Sequence, residues 1–241
     1  MERPSGGVAL VTGAGGGIGR AIARALVAAG SVAWLVGRTH SALEETARAC
    51  GGGQVHLRPT DLTSDPDTDG LVQELARAHG RLDVLAHCAG GIVHGKIEET
   101  SAQSLDDQFR ANVRAFYVIA QRLLPLLREG PGQIVVVNSS IISGAARAGV
   151  GQFAATQHAL RALTDTLRQE VNADGVRVLS VFPGRTATSR QERLFAEEGR
   201  PYQPELLLQP EDLASIIVTA LSLPRTAEVT DIHIRPMLKS Y

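Results

Sequence analysis

Thr12-Gly13-Ala14-Gly15-Gly16-Gly17-Ile18-Gly19 is the stretch on which the fold turns. Val8–Thr12 runs into it as an apolar segment of strand length, and Gly19–Ala29 leaves it with apolar residues at helical spacing, closed by Gly30. Glycine has no Cβ, so the chain can turn sharply there. A pyrophosphate can then lie against backbone N–H groups at a helix N-terminus. A glycine run alone is also what a flexible turn looks like. The strand before it and the helix after it supply the context that a dinucleotide-binding loop requires.

Outward from that loop, short apolar runs alternate with helical stretches, the pattern of a parallel sheet with crossover helices. Strands are expected at Val32–Val36, Val55–Arg58, Leu82–Ala86, Ile134–Asn138 and Val176–Phe182, with an edge strand at Thr230–Arg235. Helices are expected at Ser41–Cys50, Pro66–Ala78, Ser104–Arg128, Gln152–Asn172 and Glu211–Leu223. The stretch Arg185–Pro210 has no clear period and reads as a mobile flap. Nothing resembles a linker or an internal repeat. The fold class is therefore α/β: a single-domain, doubly wound Rossmann fold over 1–241, its sheet mainly parallel and flanked by helices.

Composition narrows the function. The chain of 241 residues can bury a sizeable core, and its 44% hydrophobic and 20% charged residues are those of an ordinary soluble globule. A net charge of −1 offers no field to draw nucleic acid or an anionic membrane. Two cysteines, Cys50 and Cys88, build no disulfide framework and fit a reducing cytoplasm. Met1–Ser5 leads into a strand within about ten residues, leaving no room for a signal peptide. No apolar run approaches the roughly 20 residues of a membrane span. No metal-ligand set is read in the chain.

An acidic residue that would bind the 2′-hydroxyl of NAD is expected at the end of the second strand, about 20 residues past the glycine loop. The sequence there is Gly37-Arg38-Thr39. A guanidinium suits a 2′-phosphate, and no carboxylate repels it, so NADP(H) is favoured over NAD(H). An arginine opening a loop is also an ordinary surface residue.

At this point the chain resembles the short-chain dehydrogenase/reductase family over essentially its whole length. Thr12–Gly19, with Gly13, Gly17, Ile18 and Gly19, matches that family's TGxxxGxG pattern. Asp61-Leu62 matches the pair that contacts adenine, and Arg38-Thr39 the ribose selector. His87-Cys88-Ala89-Gly90 falls where the family writes Asn-Asn-Ala-Gly, so Ala89 and Gly90 agree and two positions depart. Asn112 matches the asparagine of the long interface helix, and Ser140 the catalytic serine. Pro183-Gly184, with Thr186 and Thr188, matches the stretch that holds the nicotinamide carboxamide. The ending Val229–Pro236 looks like the branch of NADP-dependent reductases acting on small hydroxy acids and aldehydes.

The resemblance also implies a tyrosine thirteen residues after Ser140 and a lysine four residues beyond it; this chain has Phe153 and Gln157. In the family the tyrosine moves the proton, the lysine lowers its pKa and holds the ribose, and the serine orients the carbonyl oxygen. The chemistry needs a general acid within hydrogen-bond reach, and a tyrosine near pKa 10 needs a neighbouring cation to bring it toward neutrality. Phe153 has no exchangeable proton. Gln157 can still bond a ribose hydroxyl but carries no charge. Among substitutes, Thr156 is expected on the wrong helical face, and His158 reads as structural. His94 and His87 are the more plausible proton carriers because histidine titrates near neutrality, though each is also readily an ordinary satisfied histidine. Arg147 and Arg185 flank the expected pocket, where they could clamp an acidic substrate or be plain surface residues. Tyr202 lies in the flap, and Cys88 reads as a small buried residue.

Three functions follow. One is an atypical NADP(H)-binding oxidoreductase acting on a small molecule, its proton coming from substrate, water or a non-standard side chain. Another is a catalytically inactive partner subunit or cofactor-binding regulator. The last is a redox-neutral isomerase, cyclase or dehydratase on the same scaffold. The family's oligomers imply a homodimer or homotetramer, or a hetero-oligomer with an active relative, pairing through the Ser104–Arg128 helix and the helix bearing Phe153.

Overall fold

A computed structural model describes residues 7–144 and 146–238. The first six residues, read above as too few for a leader, lie outside the described residues. The element order is β1 (Val8–Thr12), α1 (Gly17–Ala28), β2 (Val32–Gly37), α2 (His40–Ala49), β3 (Val55–Pro59), α3 (Asp65–His79), β4 (Val84–His87) and α4 (Ala102–Phe109). It continues with α5 (Ala115–Arg128), β5 (Gln133–Val137), α6 (Gly151–Val171), β6 (Arg177–Pro183), α7 (Ser189–Glu197), α8 (Pro210–Leu221) and β7 (Asp231–Ile234).

The strands form one seven-stranded sheet in the order β3-β2-β1-β4-β5-β6-β7. Every pairing is parallel. The winding reverses between β1 and β4, and a crevice opens outside the carboxyl ends of strands at such a point. β1 shows why its residues make a central strand. Side chains alternate across a strand, so Val8 and Leu10 enter one core while Ala9 and Val11 enter the other. The first core packs Phe116, Ile119 and Leu123 of α5 with Leu71 and Leu75 of α3. The second packs Ile22 and Leu26 of α1 with Leu213 and Ile217 of α8.

Two expectations need correction. The helix expected over Ser104–Arg128 is broken: Arg110–Arg114 forms a π-helical turn between α4 and α5. Arg110–Arg114 contains no Gly or Pro, so no breaker residue announces the turn. The flap around 185–210 is also no periodless loop. Its base closes through a parallel bridge, Thr186 to Leu208, with Ala187 N donating to Leu208 O at 2.7 Å. Inside that base, α7 packs Phe195 between the guanidiniums of Arg185 (4.6 Å) and Arg200 (4.9 Å), with Tyr202 edge-on at 5.7 Å. Strand and helix ends elsewhere differ from expectation by one or two residues; β4, for example, starts at Val84, just after Asp83, whose Oδ2 accepts from Val8 N at 2.7 Å. Among the described residues no helix is long and apolar enough to cross a membrane.

Candidate active site

The glycine loop between β1 and α1 is held to its shape by contacts a side chain would destroy. Gly13 (φ +66°) and Gly17 (φ +51°) are left-handed. A Cβ on Gly13 would meet the Cys88 carbonyl at 2.9 Å, and one on Gly19 would overlap the Gly13 carbonyl. Gly16 faces open space. That space belongs to a recess of about 710 Å³, of ordinary ligand-site size, which runs from Arg38 and Asp61 past the loop to Phe153 and Gln157.

Beside the loop, the end of β4 is tied to β1 through one hydroxyl. Thr12 Oγ1 accepts from Cys88 N and Ala89 N, both at 3.1 Å, and lies 3.1 Å from His87 Nδ1. With its lone pairs so used, the hydroxyl donates to Nδ1, which leaves the proton on Nε2. Nε2 is buried without a partner among the described residues. Burial pulls the His87 pKa down to about 4 and pushes the Cys88 thiol up to about 12. His87 is therefore a neutral strut where the family resemblance has asparagine, and it does not line the recess. Its candidacy as a proton carrier is corrected on that ground. Cys88 does border the recess, but as a protonated thiol.

The π-helical turn presents Asn112 to the loop after β4. Its Oδ1 accepts from Gly91 N (2.7 Å), and its Nδ2 donates to Gly91 O (2.9 Å) and to Thr156 Oγ1 (3.0 Å). Thr156 Oγ1 in turn donates to Phe153 O at 2.7 Å, so Thr156 is a buried link between α6 and the turn. Gln108 continues the clamp by accepting from Val93 N (3.1 Å) and donating to Gln152 Oε1 (2.7 Å). Gln108 and Gln152 carried no motif that would have singled them out.

At the far end of the recess stand Phe153, half-buried, and Gln157, buried. Asn138 Nδ2 donates to the Gln157 carbonyl at 3.1 Å, and Asn138 Oδ1 accepts from Ser139 N at 2.7 Å. Ser139, not Ser140, lines the recess; its hydroxyl caps the short 3₁₀ turn Ser140–Ser143 by accepting from Ile141 N at 3.2 Å. The structure thus does not bring Ser140 to the wall with the other candidates, because the chain leaves β5 extended at Ser139 before it turns. The other residues matched to the family pattern line the recess: Asn112, Phe153, Gln157, Gly13, Gly17, Ile18, Gly19, Arg38, Thr39, Asp61, Leu62, Ala89, Gly90, Pro183, Gly184, Thr186 and Thr188.

The charges on the wall are uneven. Arg38, Arg190 and Arg193 face the recess with Asp61 as the one carboxylate, and the described wall has no histidine, lysine, glutamate or tyrosine. Hydrogen bonds from the Thr63 hydroxyl (2.7 Å) and amide (2.9 Å), with Arg38 nearby, hold the Asp61 carboxyl below its usual range. Arg190 keeps solvent access inside this concave wall. Withdrawal from bulk water, then the like charges of Arg193 and Arg38, lower its pKa. Arg190 and Arg193 were missed because α7 shows little apolar period. Its start was nonetheless written in the sequence: Thr188 caps it by accepting from Gln191 N at 3.2 Å, and Gln191 is the third residue of the helix, closing a Thr-x-x-Gln pattern.

The remaining candidates lie elsewhere. His94 and Tyr202 do not reach the wall, and His158 is exposed on α6. Burial, then Glu192, raises the Tyr202 pKa. Arg185 grips both oxygens of Glu198 (2.9 and 2.8 Å), and Arg147 stands 3.9 Å from the same carboxylate. Burial opposes ionisation of Glu198, but those guanidiniums and Arg200 outweigh it and hold its carboxyl below the usual range. Neither Arg147 nor Arg185 borders the recess. Among the described residues no three His, Cys, Asp or Glu side chains converge as a metal site.

Comparison with known proteins matches residues 7–199 to the family described as short chain dehydrogenase. An uncharacterized oxidoreductase of Staphylococcus haemolyticus is 29% identical over 238 residues, covering 98% of this chain and 100% of that protein. One from Staphylococcus aureus strain USA300 is 30% identical over 232 residues, covering 95% and 97%. Among solved structures, an alcohol dehydrogenase of the archaeon Thermococcus sibiricus, complexed with 5-hydroxy-NADP, superposes with a TM-score of 0.86 at 26% identity, covering 98% of each chain. A metagenomic short-chain oxidoreductase in complex with NADP gives 0.84 at 26% identity, covering 99% of this chain and 100% of that one.

Proposed function

Since the chain belongs to the short-chain dehydrogenase family, we propose that it is an NADP(H)-dependent oxidoreductase of atypical mechanism, acting on a small molecule. One observation carries the reading. An open glycine loop, free of any Cβ at Gly16, leads to Arg38 at the end of β2, where a carboxylate would exclude a 2′-phosphate. The residues fit the cofactor: amides of the Gly13–Gly19 loop for the diphosphate, Arg38 and Thr39 for the 2′-phosphate, Asp61 and Leu62 beside the adenine. Ala89 and Gly90 would flank the ribose, with Pro183, Gly184, Thr186 and Thr188 at the nicotinamide. Structural relatives bound to 5-hydroxy-NADP and to NADP support it.

When bound, NADP(H) supplies or accepts a hydride. What this chain's residues do around it departs from the family. Phe153 offers an aromatic face and no proton, Gln157 a neutral amide for a ribose hydroxyl, and Ser139 a hydroxyl near where Ser140 was expected. Asn112 holds the Gly91 backbone and does not reach a reacting atom through any bond described. A carbonyl oxygen reduced here would take its proton from water or from the substrate itself. Exposed Phe109 and Tyr117 flank the π-helical turn and support association through α4 and α5. The free cysteines suit a cytoplasmic setting.

The test is substrate-dependent loss of dihydronicotinamide absorbance on NADPH with a panel of aldehydes, ketones and hydroxy acids (run in reverse with NADP). Consumption on any of them supports the reading. Tight NADPH binding without turnover across the panel favours a second one, a non-catalytic partner or cofactor sensor, which the absence of any acid at the far end of the recess supports.

A further inference from the structure

Within the segment 185–210 the arginines divide into two kinds. Arg185 and Arg200 are neutralised by Glu198, at 2.8 and 3.1 Å. Arg190 and Arg193 have no carboxylate partner among the described residues, and both turn toward the recess. They lie three apart on α7, hence on one helical face. Thr188, the cap of α7, stands over the phosphate loop: a Cβ on Gly17 would lie 3.0 Å from its methyl group. Arg190 Nη2 donates to Gly90 O at 2.7 Å, just past β4. Arg38 follows β2, and β2 and β4 are the two neighbours of β1. The glycine loop therefore passes between arginine charge on one side and arginine charge on the other. Gathering three guanidiniums about one concave surface, with a single carboxylate among them, costs Coulomb energy that a polyanion relieves.

Resting on the NADP(H) reading above, we infer that Arg190 and Arg193 of the flap helix bind the cofactor's diphosphate from the side opposite the glycine-loop amides. The diphosphate is thereby enclosed by backbone donors below and guanidiniums above, whereas Arg38 serves the 2′-phosphate alone. Two consequences separate these roles. Arg190 and Arg193 act on NADPH and NADH equally, since both nucleotides carry the diphosphate. Binding also fastens α7 over the loop, since the helix carries the ligating side chains.

The experiment is a titration of the folded, full-length chain with NADPH and with NADH, followed by calorimetry or by energy transfer from the single tryptophan, Trp34. It uses wild type, R190A/R193A, R190K/R193K and R38A. The expected result is a Kd raised by about 10- to 100-fold for both nucleotides in R190A/R193A, partly restored in R190K/R193K, with R38A weakening NADPH only. In parallel, trypsin cleavage after Arg190 and Arg193 should slow in the presence of either dinucleotide and not with adenosine 2′-monophosphate, which has no diphosphate. Wild-type binding that R190A/R193A leaves within about twofold for both nucleotides overturns the inference and spares the NADP(H) reading. A wild type that binds neither nucleotide overturns that reading, and the inference with it.

Discussion

The two ends of the recess are built on opposite principles. The end at the glycine loop is made of backbone and fixed charge: Gly13 and Gly17 in left-handed conformations, Gly19 packed on the Gly13 carbonyl, and Arg38 near Asp61, whose carboxyl is held below its usual range. The reaction end consists of Phe153, Gln157, Asn138 and Ser139, none of which exchanges a proton near neutral pH. On the proposed reading, binding and proton transfer are separable in this scaffold, because they would rest on different elements: binding on the β1–α1 and β2–α2 turns, and proton transfer on one face of α6, where Phe153 and Gln157 offer no acid.

The comparison can be broken most sharply by restoring what the far end lacks. Phe153→Tyr with Gln157→Lys puts a phenol and a neighbouring cation on the face of α6 that borders the recess, so carbonyl reduction by NADPH should rise by roughly 10²–10⁴-fold. Its rate should then acquire a pH dependence in the range of the new tyrosine. A double variant that binds NADPH as before and gains nothing would mean that Ser139, replacing Ser140 on the wall, has altered the geometry as well.

Damage at the near end should be nearly as large and should fall on binding. Gly19→Val forces a side chain onto the Gly13 carbonyl, and stability should drop by about 1–3 kcal/mol. NADPH affinity should fall on the order of 100-fold, read by denaturant melts and by titration. Arg38→Ala is milder: NADPH affinity should fall roughly tenfold with NADH unchanged, which erases the preference without touching the fold. Equal losses for both nucleotides would place Arg38 away from the 2′-phosphate.

A dependence on pH lies between the two ends. His87 has its pKa lowered from 6.5 to about 4 by burial, so below about pH 6.5 the unfolded chain binds a proton that the folded chain refuses. Its contribution is complete above about pH 6.5 and is lost as pH falls toward about 4, amounting to about 3 kcal/mol. His87→Asn should flatten that part of the acid dependence of the melting temperature, where about 2–4 °C accompanies each kcal/mol in a chain of this size. An unchanged slope would show that other groups govern acid stability.

Most of this contrast was legible in the sequence, for particular reasons. Glycine spacing between a strand and a helix specifies a loop whose function is carried by its backbone, and Arg38 stands where a short connection leaves little freedom. Phe153 and Gln157 are fixed by position on a long helix. Ser139 was not separable from Ser140, because which of two adjacent serines faces inward depends on the dihedral angles at a strand end. The π-helical turn at Arg110–Arg114 carries no Gly or Pro to mark it, so Asn112 was placed without the clamp that positions it. Arg190 and Arg193 escaped because α7 buries little beyond Phe195, and a helix held by arginine stacking and a Glu198 ion pair leaves no hydrophobic stripe to read.

The proposed function requires a nucleotide end that binds NADP(H) selectively beside a reaction end that holds no proton donor. Parallel titration of the wild-type chain with NADPH and NADH tests it most directly. Saturable 1:1 binding of NADPH, with NADH at least about tenfold weaker, is the expected result. Binding of neither nucleotide, or tighter binding of NADH, would contradict it.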